Sequence, residues 1–370
     1  MSALLIENAT GIFTGRAGAA MRTSGSIRIR DGVIVEIGAL SAEPNERRLD
    51  ASGCVVYPGL ISTHHHLFQS VMKGVKSGIN LPLAGWLRSV PYTFWSKIDE
   101  EALAVNARIG LAEMLLSGTS TIADHHYLFS DTFRFDPAQV IFEVARSLGI
   151  RLVFCRGGAT KGRHFDTDEL VPMPVETLDH MLKSVEACAQ RFHDTSPGSL
   201  SQVVLAPTTP TWSIDPGELK EAIAAARRMK LRLHSHLSES SEYVDFCLSV
   251  HGKRPVEWLA DHDKEVTFLL PSSTVPELLR ADVLTRGLVV WSMWPGYLKE
   301  PSGRRLKETL KAAGVPLVLD HASGHAPVAD LQRLVDALQP GRLVPIHTEG
   351  ADRYGEFFPN VEGHADGEWW

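Results

Sequence analysis

Between residues 55 and about 260 the hydrophobic pattern switches repeatedly between period two and period 3.6, and this alternation limits the possible folds more than any other property of the chain. Strand-like runs at Val55–Tyr57, Thr119–Asp124, Arg151–Arg156, Val203–Ala206 and Leu231–His236 are separated by helical stretches at Glu100–Ser117, Pro137–Leu148, Val175–Phe192 and Gly217–Met229. The first helix carries Leu103, Ala107, Leu111, Met114 and Leu115 on one face and is stopped by Gly118. Strands that alternate with helices pair in parallel, because each helix is the crossover that a parallel pair needs. The expected fold is therefore α/β, a parallel sheet or a (β/α) barrel. In a barrel the functional groups collect at the C-terminal ends of the strands. The polar clusters fall there: His64 and His66 after the first run, Asp124-His125-His126 after the second, and His234 and His236 closing the fifth.

Side chains two residues apart on an extended segment share a side, so His64 and His66 can hold one metal ion together while His65 points away. The plain alternative is a polar loop. His236 ends a strand and can reach the same barrel mouth as a third ligand. Glu239 follows three residues later. It is either a proton carrier beside the metal or a solvated acid at a helix start.

At 370 residues, 44% hydrophobic and 22% charged, the chain has the make-up of one large globular domain or two smaller ones. A net charge of -7 argues against a nucleic-acid-binding surface. No apolar run approaches the roughly 18 residues of a membrane span, and the N-terminus lacks a signal-peptide pattern, so a cytoplasmic enzyme is expected. The four cysteines, Cys54, Cys155, Cys188 and Cys247, form no CxxC and read as buried free thiols. Residues 1–57 read as short strands, with Asp31-Gly32 as a hairpin turn between Ser26–Arg30 and Val33–Ile37. Beyond 263, strands are expected at Glu265–Leu270, Leu288–Trp291, Val315–Asp320 and Arg342–Ile346, with helices at Arg304–Ala313 and Pro327–Leu338. Counted with the first five, these strands complete an eight-stranded barrel and leave one over.

The segments "PGLISTHHHLFQ", "LPLAGWL", "GLAEMLLSGTSTIADHHYLF", "LAPTTPTWS" and "LRLHSHLSES" together resemble the amidohydrolase superfamily, in its cytosine/guanine deaminase and triazine hydrolase branch, and most of all the 8-oxoguanine deaminases. The resemblance covers residues 1 to about 260. It implies a distorted TIM-barrel-type (β/α) fold, a β-sandwich built from both chain ends, and one zinc or iron ion. Carried over by position, His64, His66 and His236 are metal ligands and Glu239 protonates the ring nitrogen during hydrolytic release of ammonia. Gln69 matches a glutamine that contacts the purine. Trp86 and Trp212 are pocket walls or core aromatics. His125 or His126 takes a pocket role, or both pack behind it. The family's sixth-strand histidine has no counterpart in Val266–Ser273, while Asp320 stands where the family places a metal-binding aspartate and general base.

A second resemblance covers about 263–370. "LPSSTVPELLR", "HASGHAPVADLQRLVDALQPGRLVPIHTEGADRYGEFFPNV" and "DGEWW" are similar to the C-terminal part of a metallo-β-lactamase-fold hydrolase of the RNA-processing type, whose active-site histidines match His325 and His347. That fold's HxHxDH motif does not occur in the chain. The expected organisation is an N-terminal β-domain (1–57), an amidohydrolase barrel portion (58–262) and a metallo-β-lactamase-like segment (263–370). The expected activity is metal-dependent deamination of a purine, pyrimidine or triazine base. The competing readings are an inactive hybrid of two partial enzymes and a nuclease run by the tail. A sandwich that lacks its C-terminal strands leaves an edge exposed, which favours a homo-oligomer.

Overall fold

A computed structural model describes residues 3–15, 22–130, 132–162, 173–262, 275–285, 287–293, 295–319, 328–345, 348 and 350–364. The chain divides into two compact units: Met1–Pro58 with Ser292–Trp294 and Asp320–Trp370, and Gly59–Trp291 with Pro295–Leu319.

The first unit is built on a sheet of β1 (Ala3–Phe13), β2 (Arg22–Arg30), β3 (Val33–Gly38), β4 (Arg47–Asp50) and β5 (Val55–Val56), in the order β3-β2-β1-β4 with β5 also on β1. The β2–β3 hairpin turns at Asp31 and Gly32, whose φ of 48° and 81° give the left-handed pair that matches strand twist. Ala9, Ile12, Ile27 and Ala51 form its small core. Val55–Val56 therefore does not open the barrel sheet, as the sequence pattern implied. It pairs in parallel with Gly11 and Ile12 of β1. Pro58, with no N–H to donate, ends that ladder. Arg342–Ile346 is likewise no regular strand: Leu343 makes an isolated bridge to Val361, and Ile346 lies outside the described residues.

In the second unit β6 (Leu60–His65), β7 (Thr119–His126), β8 (Arg151–Gly158) and β9 (Ser201–Pro207) form a parallel sheet in chain order. Gly59 makes the start of β6 possible, since a Cβ there would collide with the Ser120 side chain. The segment ending in His236 extends the sheet. Leu233 bridges Leu205 in parallel, and the N–H groups of His234 and His236 donate to the carbonyls of Leu205 and Thr208 at 3.1 Å each. The helices between strands carry local stop and start signals. Asp99 caps Glu100–Leu116 by accepting from the Ala102 N–H at 2.8 Å, and Pro137 opens a helix that Gly149 closes at φ 71°.

The sheet's two faces differ. Ile122, Leu152, Phe154, Val203 and Leu205 join the main core with the helices, whereas Ala123, Val153, Cys155, Val204 and Ala206 form a small cluster on the other side. β8 ends in Gly157-Gly158, one glycine for each face. A Cβ on Gly157 would meet the His126 carbonyl oxygen at 2.8 Å and His125 Nε2 at 3.0 Å, and one on Gly158 would meet the Glu176 carboxylate and Arg156 Nη1. Arg156 and Glu176 are a fully buried ion pair joined through both terminal guanidinium nitrogens, with Nη2···Oε2 at 2.7 Å. Arg156 also donates to the Gly157 carbonyl at 2.9 Å and lies 3.7 Å over the Phe129 ring, and Glu176 accepts from His180 Nδ1 at 2.7 Å.

Beyond this sheet, β10 (Val289–Trp291) and β11 (Leu317–Leu319) pair in parallel around the helix Pro301–Ala312 and make a separate two-stranded sheet. Trp291, Leu306, Leu310 and Val315 share its core. Closure into eight strands is not seen among the described residues, and the strand expected at Glu265–Leu270 lies outside them. Cys155, Cys188 and Cys247 are buried free thiols as expected, but Cys54 is exposed. Among the described residues no helix is long and apolar enough to cross a membrane.

Candidate metal centre

The start of the second unit's sheet at β6 and the segment ending in His236 bring three histidines together. One ligand nitrogen each from His64, His66 and His236 lies within 4.8 Å of the others. His64 sits on β6 and His66 immediately follows it, so the i, i+2 spacing puts their rings 4.8 Å apart, edge to face. His66 and His236 are held in matching tautomers. Nδ1 of His66 donates to the His125 carbonyl at 2.6 Å, and Nδ1 of His236 donates to the Thr208 carbonyl at 2.8 Å. Each Nε2 therefore carries a lone pair, and the two face each other at 3.3 Å. Two lone pairs at that distance repel unless a cation lies between them. Two nitrogens about 2.0–2.1 Å from a tetrahedral zinc ion are about 3.4 Å apart. The donor set fits a zinc-like ion.

Desolvation disfavours the charged form of His64, His66, His125 and His234. It pushes His66 down to about 4, with the neighbouring His64 adding to the effect, and pushes His234 down to about 4 in the same way. His125, wholly buried and ringed by His236, His66, His234 and His64, is pushed well below the usual imidazole range. His64 is lowered by burial, against the opposing charges of Asp124 and Glu239. Glu239 thus lies near enough to act on His64, and its Oε1 accepts from Thr209 Oγ1 at 3.3 Å.

A cavity of about 460 Å³ opens beside His66, lined among others by His65, Gln69, Lys73 and Trp86. Gln69 and Trp86 are thus gathered with a candidate ligand. Trp212 is not. It is 3% exposed and stacks on Tyr243 at 5.3 Å between ring centres, so of the two roles open to it the core one describes its place. His125 lies beneath the three histidines, its ring 4.2 Å from that of His236 and its Nδ1 2.9 Å from His234 Nδ1. His126 is packed on the opposite face, stacked on Phe154 at 5.6 Å. Asp320, His325 and His347 lie outside the described residues.

Thr208 and Tyr127 had no place in the sequence reading, and Asp124 and His234 stood there only as members of the polar clusters at the strand ends. Asp124 is buried and accepts the Leu67 N–H at 2.8 Å, pinning the backbone just after His66. Thr208 and Tyr127 hold His236 and Gln69, respectively. His234, grouped with His236 in the sequence, stands two residues before it on the same side of an extended segment. Nothing local marks Thr208 or Tyr127.

The sequence model of the amidohydrolase family matches residues 55–350. The chain belongs to the amidohydrolase family. An isoxanthopterin deaminase from an unidentified prokaryote is 45% identical over 263 residues, 70% of this chain and 55% of that protein. The 8-oxoguanine deaminase of Pseudomonas aeruginosa is 35% identical over 264 residues, 70% of this chain and 57% of that protein. The matched part of this amidohydrolase thus spans little more than half the length of either relative. A crystal structure of atrazine chlorohydrolase from Arthrobacter aurescens complexed with zinc shares the fold, with a TM-score of 0.65 and 24% identity over 89% of this chain and 75% of that one. The family match continues through residues 263–350, which the sequence reading had given to a metallo-β-lactamase-fold tail, and that assignment finds no support.

Proposed function

We propose that this amidohydrolase is a metal-dependent deaminase of an oxidised bicyclic N-heteroaromatic base, of the 8-oxoguanine or isoxanthopterin type. The 3.3 Å spacing of two tautomer-locked Nε2 atoms carries the metal half of the reading. The names of the two relatives and the cavity beside His66 support the substrate half. His64, His66 and His236 would hold one zinc or iron ion, with Asp320 as the further ligand and base that the family resemblance implies. When bound, the ion supplies a Lewis acid that makes hydroxide available near neutral pH.

The remaining work falls to the chain's own side chains. Glu239 takes the proton that water gives up and delivers it to the ring nitrogen next to the amine-bearing carbon. The water oxygen adds to that carbon, its remaining proton passes to the amine, and the C–N bond breaks so that ammonia leaves and the carbon becomes a carbonyl. Thr209 donates to one Glu239 oxygen and so orients the carboxylate. Gln69 and Trp86 orient and cover the ring.

The test is ammonia release from 8-oxoguanine and isoxanthopterin by zinc-loaded protein, with Glu239→Gln as control. The variant should keep its metal and lose about 10²–10⁴-fold in rate. Full activity in Glu239→Gln removes its role, and no ammonia from either base with stoichiometric metal bound defeats the reading.

A further inference from the structure

Glu239 belongs to a closed loop of chain. Its carboxylate accepts from Thr209 Oγ1 at 3.3 Å. Four residues further on, the Tyr243 hydroxyl donates to the carbonyl of Pro210, the neighbour of Thr209, at 2.7 Å. The stretches 239–243 and 209–210 are thus tied together at both ends. Ser240 lies between the ties and caps the helix Ser241–His251, its hydroxyl accepting from the Tyr243 N–H at 3.3 Å. Little slack remains between Glu239 and Tyr243.

The Pro210 end is stiff. The Trp212 N–H donates to the same carbonyl at 2.8 Å and closes a three-residue turn with Thr211 at φ 64°. A β-branched residue is strained there, and such a turn persists only where its surroundings over-determine it. They do so here. Thr209, Thr211, Trp212 and Ser213 are all buried, and Thr211 Oγ1 lies 3.3 Å from Cys247 Sγ. Tyr243 is wholly buried and stacks on Trp212 with the rings 4° from parallel. Ser238, at φ 53°, is a second unfavourable bend directly before Glu239.

We propose that Tyr243 is a positioning residue for the proton carrier: through Pro210 and Thr209 it fixes where the Glu239 carboxylate stands. The inference rests on the deaminase reading and deepens it. It also separates two tasks within one loop. Thr208, whose carbonyl holds His236, is pinned independently to the Gly158 carbonyl through its N–H and its hydroxyl, at 2.9 Å each. Loss of the Tyr243 hydroxyl should therefore disturb Glu239 and spare the metal ligand.

Tyr243→Phe keeps the ring on Trp212 and removes only the hydroxyl. In the full zinc-loaded chain its kcat for 8-oxoguanine or isoxanthopterin should fall about 10–100-fold, the scale of a misplaced catalytic group, with KM within about twofold and zinc content unchanged. Thr209→Val should also lower kcat, and the double variant should match the slower single variant within about twofold, because both changes cut one connection. A merely structural role would multiply the two losses or raise KM. Losses that multiply, or a fall of less than about 3-fold in Tyr243→Phe, overturn the inference alone.

Where the variants give too little folded protein, hydrogen exchange on native protein decides. The N–H groups of Thr209, Trp212 and Ser213, and those of Tyr243 and Val244, are all hydrogen-bonded. Tied into one unit, the two sets should show protection within about tenfold of each other, and a wider gap overturns the inference. Native protein that holds its zinc and releases no ammonia from either base overturns the deaminase reading, and the role given to Tyr243 with it.

Discussion

Removing Glu176 isolates a buried charge, and the structure sets the size of the effect. Both partners of the Arg156–Glu176 pair have no exposed side-chain surface, so the guanidinium has no water to fall back on. Its other contacts, the Gly157 carbonyl, Ser184 Oγ at 3.2 Å and the Phe129 ring, are neutral and do not replace an anion. Glu176→Ala should therefore cost about 3–5 kcal/mol, the range for breaking one side of a buried pair. At about 2–4 °C per kcal/mol for a domain of about 150–250 residues, the melting point should drop by roughly 6–20 °C.

Urea unfolding followed by tryptophan fluorescence measures the loss. Arg156→Met combined with Glu176→Leu removes both charges and keeps apolar volume, and it should regain most of what Glu176→Ala loses, because the desolvation penalty disappears with the charge. A loss below about 1 kcal/mol in Glu176→Ala, or a double variant as unstable as the single, would refute the claim that the pair matters through burial.

Two other outcomes follow from the histidine cluster. His236→Ala should purify with less than about a tenth of the zinc of native protein by elemental analysis, while Thr208→Ala, which leaves the accepting carbonyl in place, should retain it. In metal-free protein the folded imidazoles hold pKa values below that of the free ring, so on acidification the unfolded chain takes up protons first. Their contribution is complete above about pH 6.5 and is lost as the pH falls towards 4. His66 alone accounts for about 3 kcal/mol of it, at about 1.4 kcal/mol per pH unit. A urea midpoint that is flat between pH 7 and 4.5 in chelator-treated protein contradicts this sign.

Much of the second unit was legible because its signals are local. Pro137–Leu148 begins and ends where the sequence indicated, since Asp136, Pro137 and Gly149 act within one turn of themselves. The parity of His64 and His66 was equally readable, because an extended backbone fixes which side each ring takes. What failed were questions of partner choice. Val55–Val56 looks like any buried strand, and nothing within it says that it joins β1 rather than the barrel sheet. Trp212 reads the same whether it walls a pocket or stacks on Tyr243, since both uses ask for a large flat ring. The Gln69–Tyr127 bond spans 58 residues, and the Arg156–Glu176 pair spans 20. No periodicity carries information over such gaps.

The paired glycines that close β8 give this strand a divided heredity. Because neighbours on a strand look opposite ways, 153, 155 and 157 are neighbours of the imidazoles and small apolar groups, while 152, 154, 156 and 158 are neighbours of the helices and the buried charges. Random substitution along 152–158 should therefore produce two uncorrelated classes of damage in strict alternation down the chain. One class would bind metal poorly yet melt normally, and the other would melt early yet bind metal while folded. A single stretch of seven residues thus answers to two selections, and drift in one need not be felt by the other.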